Sequence, residues 1–310
     1  MSSKIIKFIA ILNIVLVGYL FFELYQLKNP QTPTQAPLKQ NGELSEAEIN
    51  QLIEEAINPS IPLDKRIQAL IQLPSKQLTS QQQSALNETF FQKVPGDDGL
   101  ETLNLRERAG SVLIASDYEP VTFAEQLSQN AENETIPLPL RQQALVQLFL
   151  LVNEQSARGK LPTRLSAILD RNIQVLFSNR ASSLAGTVIE GQSYLLSRHP
   201  EVVRSTQLQE RVLRGLRDLR SQESVQIAAL NIAAKLGVLE ARSDAEAFAQ
   251  GNGSNAVKLA ALEAATTLGT EPEFFQQLSY SDNQLELARL KALKQASRSR
   301  AQKATAAVPD

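Results

Sequence analysis

Cysteine and tryptophan are absent from this chain, and histidine and methionine occur once each. Without cysteine there is no thiol nucleophile, no disulfide, no cysteine-bound zinc and no iron–sulfur cluster. A Ser–His–Asp triad or a histidine metal site would have to rest on His199 alone. A charge surplus is missing too. Lys and Arg total 31 against 33 Asp and Glu, a net charge of −2, so no global basic field points to nucleic acid. The catalytic signatures GxSxG, the P-loop, HExxH and the dinucleotide fingerprint do not occur with supporting context, nor does a paired-carboxylate site. The expectation is a protein that is not an enzyme, with no catalytic residues, no metal and no cofactor. What is present is a foldable composition: 310 residues, 43% hydrophobic and 21% charged.

The N-terminus reads as a membrane segment. Phe8 to Phe22 is FIAILNIVLVGYLFF, interrupted by only one strongly polar residue, Asn13. Ile5 to Leu27 makes a full span if Lys7 and Glu23 snorkel. Tyr19, Phe21, Phe22 and Tyr25 gather at one end as an interfacial belt. No small-residue cleavage site follows in Glu23-Leu24-Tyr25-Gln26-Leu27, which favours an uncleaved anchor over a signal peptide. Lys4 and Lys7 precede the span, whereas Glu23 and Lys28 roughly cancel after it. The positive-inside rule then expects a single-pass inner-membrane protein with a cytoplasmic N-terminus and a periplasmic or extracytoplasmic C-terminal domain. Residues 1–28 are thus the expected anchor.

Residues 29–42 form an expected Pro-rich linker, in which Pro30, Pro33 and Pro37 block helix and sheet. From residue 43 to 296 apolar residues recur at spacings of three and four, the helical period, with Pro, Asn or Gly punctuation between segments. Ser45 with Glu48 reads as a capping box at the start. No alternating strand pattern emerges. Residues 297–310 read as a flexible, basic tail.

Internal repetition is the most informative feature. Pro62 to Leu73, PLDKRIQALIQL, matches Pro137 to Leu148, PLPLRQQALVQL, at eight positions including Arg and Ala. Proline suits a helix start because the missing N–H has no intrahelical partner there. Arg106 and Ala109 repeat the relation of Arg66 and Ala69. Val225 to Gly237 resembles Ala256 to Gly269, each closing on Leu-Gly, where glycine fits a left-handed C-cap. Leu285 to Ala296 is a more charged copy, and Val188 to Ser197 a degraded one within the long gap between Ala144 and Ala229.

These second-helix segments, with Arg or Val three residues before Ala-Leu and a terminal Leu or Leu-Gly, resemble HEAT-like repeats. The resemblance covers residues 43–296 and departs from the family pattern in repeat length and in the inconsistent Asp before the second helix. It implies an all-α fold, a right-handed α-solenoid of about six to seven helix pairs, here preceded by a single transmembrane helix. Each pair buries its apolar face by stacking on its neighbours. The resemblance also implies a surface that binds proteins or peptides rather than a catalytic centre.

Arg204, Arg211, Arg214, Arg217 and Arg220 are the densest cationic stretch and the candidate partner-binding residues. Three-residue spacing spreads them into a broad basic surface, diluted by Glu201, Glu210 and Asp218. His199, followed by Pro200, reads as a surface or C-capping residue. Asp97-Asp98 between glycines lacks the ligand spacing of a calcium loop and reads as a polar turn. The expected function is a membrane-anchored scaffold that binds a protein partner. The alternatives are a HEAT-like lyase-type enzyme, with Asp, Arg and Tyr converging in a deep pocket, and a module that binds envelope polymer or lipid.

Overall fold

A computed structural model describes residues 44–92, 102–178 and 184–306. The expected anchor, the linker and the Asp97-Asp98 turn lie outside the described residues. Among those described, no helix is long and apolar enough to cross a membrane.

Fourteen α-helices and no strand occur among the described residues. The first six are α1 (Glu46–Ile57), α2 (Leu63–Gln72), α3 (Ser80–Phe91), α4 (Leu103–Ala115), α5 (Pro120–Glu132) and α6 (Leu138–Ala157). There follow α7 (Thr163–Ser178), α8 (Leu184–Arg198), α9 (Ser205–Arg217) and α10 (Glu223–Leu236). The last four are α11 (Arg242–Gln250), α12 (Asn255–Thr267), α13 (Pro272–Gln277) and α14 (Asn283–Ala306). Every odd-numbered helix packs on the even-numbered helix that follows it, from α1 on α2 to α13 on α14. Every even-numbered helix also packs on the next, so α2, α4, α6, α8, α10, α12 and α14 make one continuous row.

The repeated Arg and Ala explain how each pair closes. Ala69, Ala109, Ala144, Ala229 and Ala261 are all at most 1% exposed, which lets neighbouring helices approach closely. The arginine three residues earlier reaches back to the end of the preceding helix. Arg66 Nε donates to the Ala56 carbonyl at 2.9 Å, and Arg141 Nε to the Ala131 carbonyl at 3.0 Å, each ten residues back. Arg106 Nη1 donates to Phe90 O at 2.8 Å, and Arg289 Nη1 to Phe275 O at 2.9 Å. A helix leaves its last carbonyls without intrahelical partners, and a cation there also answers the macrodipole. Gln226 of α10 holds the same position and donates to Ser221 O at 3.3 Å. The matching prolines begin their helices identically, with φ −52° and ψ 139° at Pro62 and φ −53° and ψ 139° at Pro137. Replacing Arg141 by methionine strands the Ala131 carbonyl and is expected to cost about 2 kcal/mol, read as a lowered urea midpoint. A loss below about 0.5 kcal/mol would show that water replaces the guanidinium there.

Gly237 (φ 66°) ends α10 and Gly269 (φ 79°) lies just past α12, both in the left-handed region expected of Leu-Gly closures. An N-terminal capping box falls at α3, where Thr79 N donates to Gln82 Oε1 at 2.8 Å and Thr79 Oγ1 accepts from Gln82 N at 3.4 Å. The C-terminal segment departs from the sequence expectation. Residues 297–306 continue α14, with Ser297 Oγ donating to Leu293 O at 2.9 Å and Arg300 ion-paired with Glu273 of α13. Ala, Gln, Lys and Arg are strong helix formers, and the ion pair adds a tether to the preceding helix.

Candidate interaction surface

The five arginines do not share one role. Arg217 Nε pairs with Asp244 at 3.0 Å and its Nη2 donates to Glu240 O at 2.9 Å, tying α9 to the chain that follows α10. Arg220 pairs with Asp218 at 3.3 Å within the turn after α9. Arg211 is half-buried, and its Nη1 has no hydrogen-bond partner. Burial holds its guanidinium below the usual arginine range, an effect opposed by Asp170 of α7. Arg204 and Arg214 are exposed, and neither makes an ion pair among the described residues. The broad basic surface therefore reduces to two free cations, Arg204 at the N-cap of α9 and Arg214 within it. Leu219, two residues past the end of α9, is fully exposed, and Leu239, in the 3₁₀ turn after α10, is 60% exposed.

His199 follows the end of α8, where its N–H closes on Leu195 O at 2.6 Å and its Nδ1 lies 3.3 Å from Glu201 Oε1. It is a helix-end residue with a neighbouring carboxylate. Among the described residues no group of His, Asp and Glu is arranged to hold a metal ion.

A cavity of about 190 Å³ opens between α3, α4, α5 and α6, walled by Phe90, Phe91, Arg106, Asn130, Leu140 and Gln143 among others. Arg106 contributes no free cation to it, since its guanidinium is bonded to the Phe90 and Gln92 carbonyls and to Thr102 Oγ1. The wall contains neither Asp nor Tyr.

Among the described residues, the row of even helices holds one half-buried acidic side chain without an answering group. Glu190 of α8 is half-buried and makes no hydrogen bond or ion pair with any described residue. Desolvation pushes its carboxyl up to about 7. Nothing in the sequence marked it, because a single Glu in VIEGQSYLL reads as an ordinary helical residue. The same segment makes two close approaches to its neighbours in the row, one of them the tightest at any described glycine. A Cβ on Gly191 would lie 2.3 Å from the Phe149 ring of α6, and one on Gly186 would lie 2.9 Å from Ser224 O of α10. Gly186 precedes Gly191 by the same five residues that separate Ala144 from Phe149, so it takes the small-residue place in a copy that looked degraded.

Comparison with known protein families, curated proteins and solved structures finds no match for this chain.

Proposed function

We propose that this protein is a membrane-anchored scaffold or adaptor. Residues 1–28 hold it in the membrane and residues 29–42 set the helices off the bilayer. The seven helix pairs α1–α14 stack as a HEAT-like, right-handed α-solenoid, facing the periplasm, whose surface binds a protein partner. The observation that carries this reading is the packing order. Each pair is closed within itself and joined to the next through the even-numbered row, which is how repeats that cannot bury their apolar faces alone reach stability. Such an array spends its residues on surface, and a surface of this kind acts by holding other molecules.

Arg204 and Arg214 are the cations left for a partner, and the exposed Leu219 and Leu239 offer apolar area. Crosslinking in cells followed by mass spectrometry tests the proposal on the full chain. The wild type is expected to capture a protein neighbour, and the double charge reversal Arg204→Glu, Arg214→Glu to recover about tenfold less of it. No neighbour above background for the wild type would reject the scaffold reading. Undiminished recovery by the variant would place docking away from α9.

A further inference from the structure

The centre of the even-helix row has the makings of a receptor for a positive charge. Two contacts set the register there. The Phe149 ring of α6 lies against Gly191 of α8, and Gly186 of α8 lies against Ser224 of α10. Between those two contact lines, Thr187, Glu190 and Tyr194 recur at spacings of three and four and share one face of α8. All three are half-buried, whereas Val188, Ile189, Gln192 and Ser193 around them are buried. The shared face is therefore the one open to solvent between α6 and α10.

On α6, Asn153 stands one turn beyond Phe149, level with Tyr194, which stands about one turn beyond Glu190. Asn153 Oδ1 is buried and accepts no hydrogen bond. The Tyr194 ring already accepts a cation, since the Arg198 guanidinium lies over it at 4.9 Å from the centroid. The charges on the surrounding helices are committed elsewhere. Arg158 of α6 is held by Asp117 and Glu154, Lys235 of α10 donates to Ser193 Oγ at 3.2 Å, Arg171 of α7 bonds Ser128, and Arg211 of α9 lies near Asp170. None reaches Glu190. A carboxyl partly withdrawn from water without a partner is costly, as is a buried acceptor without a donor. A ligand with a positive charge and several N–H groups would relieve both.

We propose that this face docks one ammonium or guanidinium side chain of a protein partner, with Glu190 as counter-ion and Asn153 Oδ1 as acceptor, beside the Tyr194 ring that Arg198 already covers. The scaffold reading enters only in naming a protein as the bearer of that cation. Docking is coupled to proton release. With the Glu190 carboxyl titrating at about 7, only about a tenth of it is ionised at pH 6, so affinity at pH 8 is about tenfold higher.

The test uses the side-chain analogues n-butylammonium and n-butylguanidinium. They are titrated into the full chain labelled at alanine and glutamate, and followed by NMR at pH 6 and pH 8. Saturable shifts confined to α6, α8 and α10, about tenfold tighter at pH 8 and lost in Glu190→Gln, are expected. Glu88→Gln, at an exposed position of α3, should bind as the wild type does. Absence of saturation, shifts centred on other helices, or unchanged binding in Glu190→Gln would each overturn the proposal. Because the probes are free cations, these results stand whether or not crosslinking recovers a partner.

Discussion

Replacing Phe123 with alanine is expected to lower stability by about 3–5 kcal/mol. Phe123 of α5 is 0% exposed and lies at the centre of the main aromatic cluster. Its ring is 5.8 Å from Phe90, 6.0 Å from Phe91 and 6.4 Å from Tyr118, all edge-on. Edge-to-face contacts of this kind add to the area term. The cluster also joins α5 to α3 of the previous pair, so its loss weakens a joint as well as a core. In a chain with no tryptophan and 5% aromatics, few side chains of comparable volume stand ready to fill the hole. Urea unfolding of the full chain by circular dichroism reads the effect. Phe123→Leu, which keeps most of the volume, should cost less than half as much. Equal losses for the two variants would show that ring geometry, not volume, holds the joint.

Replacing Glu190 with glutamine should change how stability depends on pH. An isolated glutamate titrates near 4.5, and in the folded chain Glu190 titrates at about 7. The folded state thus binds the proton more tightly than the unfolded state. The advantage is full below about pH 4.5 and is lost as pH rises through about 7. The shift corresponds to about 3 kcal/mol across that window. Glutamine carries no charge at any pH, so the variant should match the wild type near pH 4.5 and exceed it by up to about 3 kcal/mol at pH 8. The readout is the urea midpoint at both pH values. A variant no more stable than the wild type at pH 8 would show that water reaches the carboxylate. The exchange of stability for a lone charge is what a binding residue costs a fold, and it connects this measurement to the cation titration.

Much of the fold was legible because the same physical problem recurs along the chain. Each helix pair needs a small residue where backbones meet and a donor for the carbonyls left at a turn. Ala69 with Arg66 and Ala144 with Arg141 solve it in nearly the same words, and Gly237 and Gly269 solve the helix ends. The copy at α8 faded because glycine replaced alanine at residue 186, where Ser224 comes closest. The solution was stricter there, and the resemblance weaker for that reason. Side-chain commitment was not legible. Five arginines in a row of letters look alike, but Arg217 and Arg220 are spent on Asp244 and Asp218, while Arg204 and Arg214 are not. Glu190 was invisible for the opposite reason, since what distinguishes it is the lack of a neighbour. The helical continuation to Ala306 was missed because Arg300 finds Glu273 only once α13 has folded beside it.

Gly186 and Gly191 also have a mechanical consequence. Three helix pairs precede α7 and α8, and three follow. With no Cβ on either glycine, α8 is seated against Phe149 on one side and the Ser224 backbone on the other, closer than any other residue would allow. That seat depends on the absence of a side chain, so alanine at residue 191 would have to displace the Phe149 ring and alanine at residue 186 the Ser224 backbone before α8 could settle between α6 and α10.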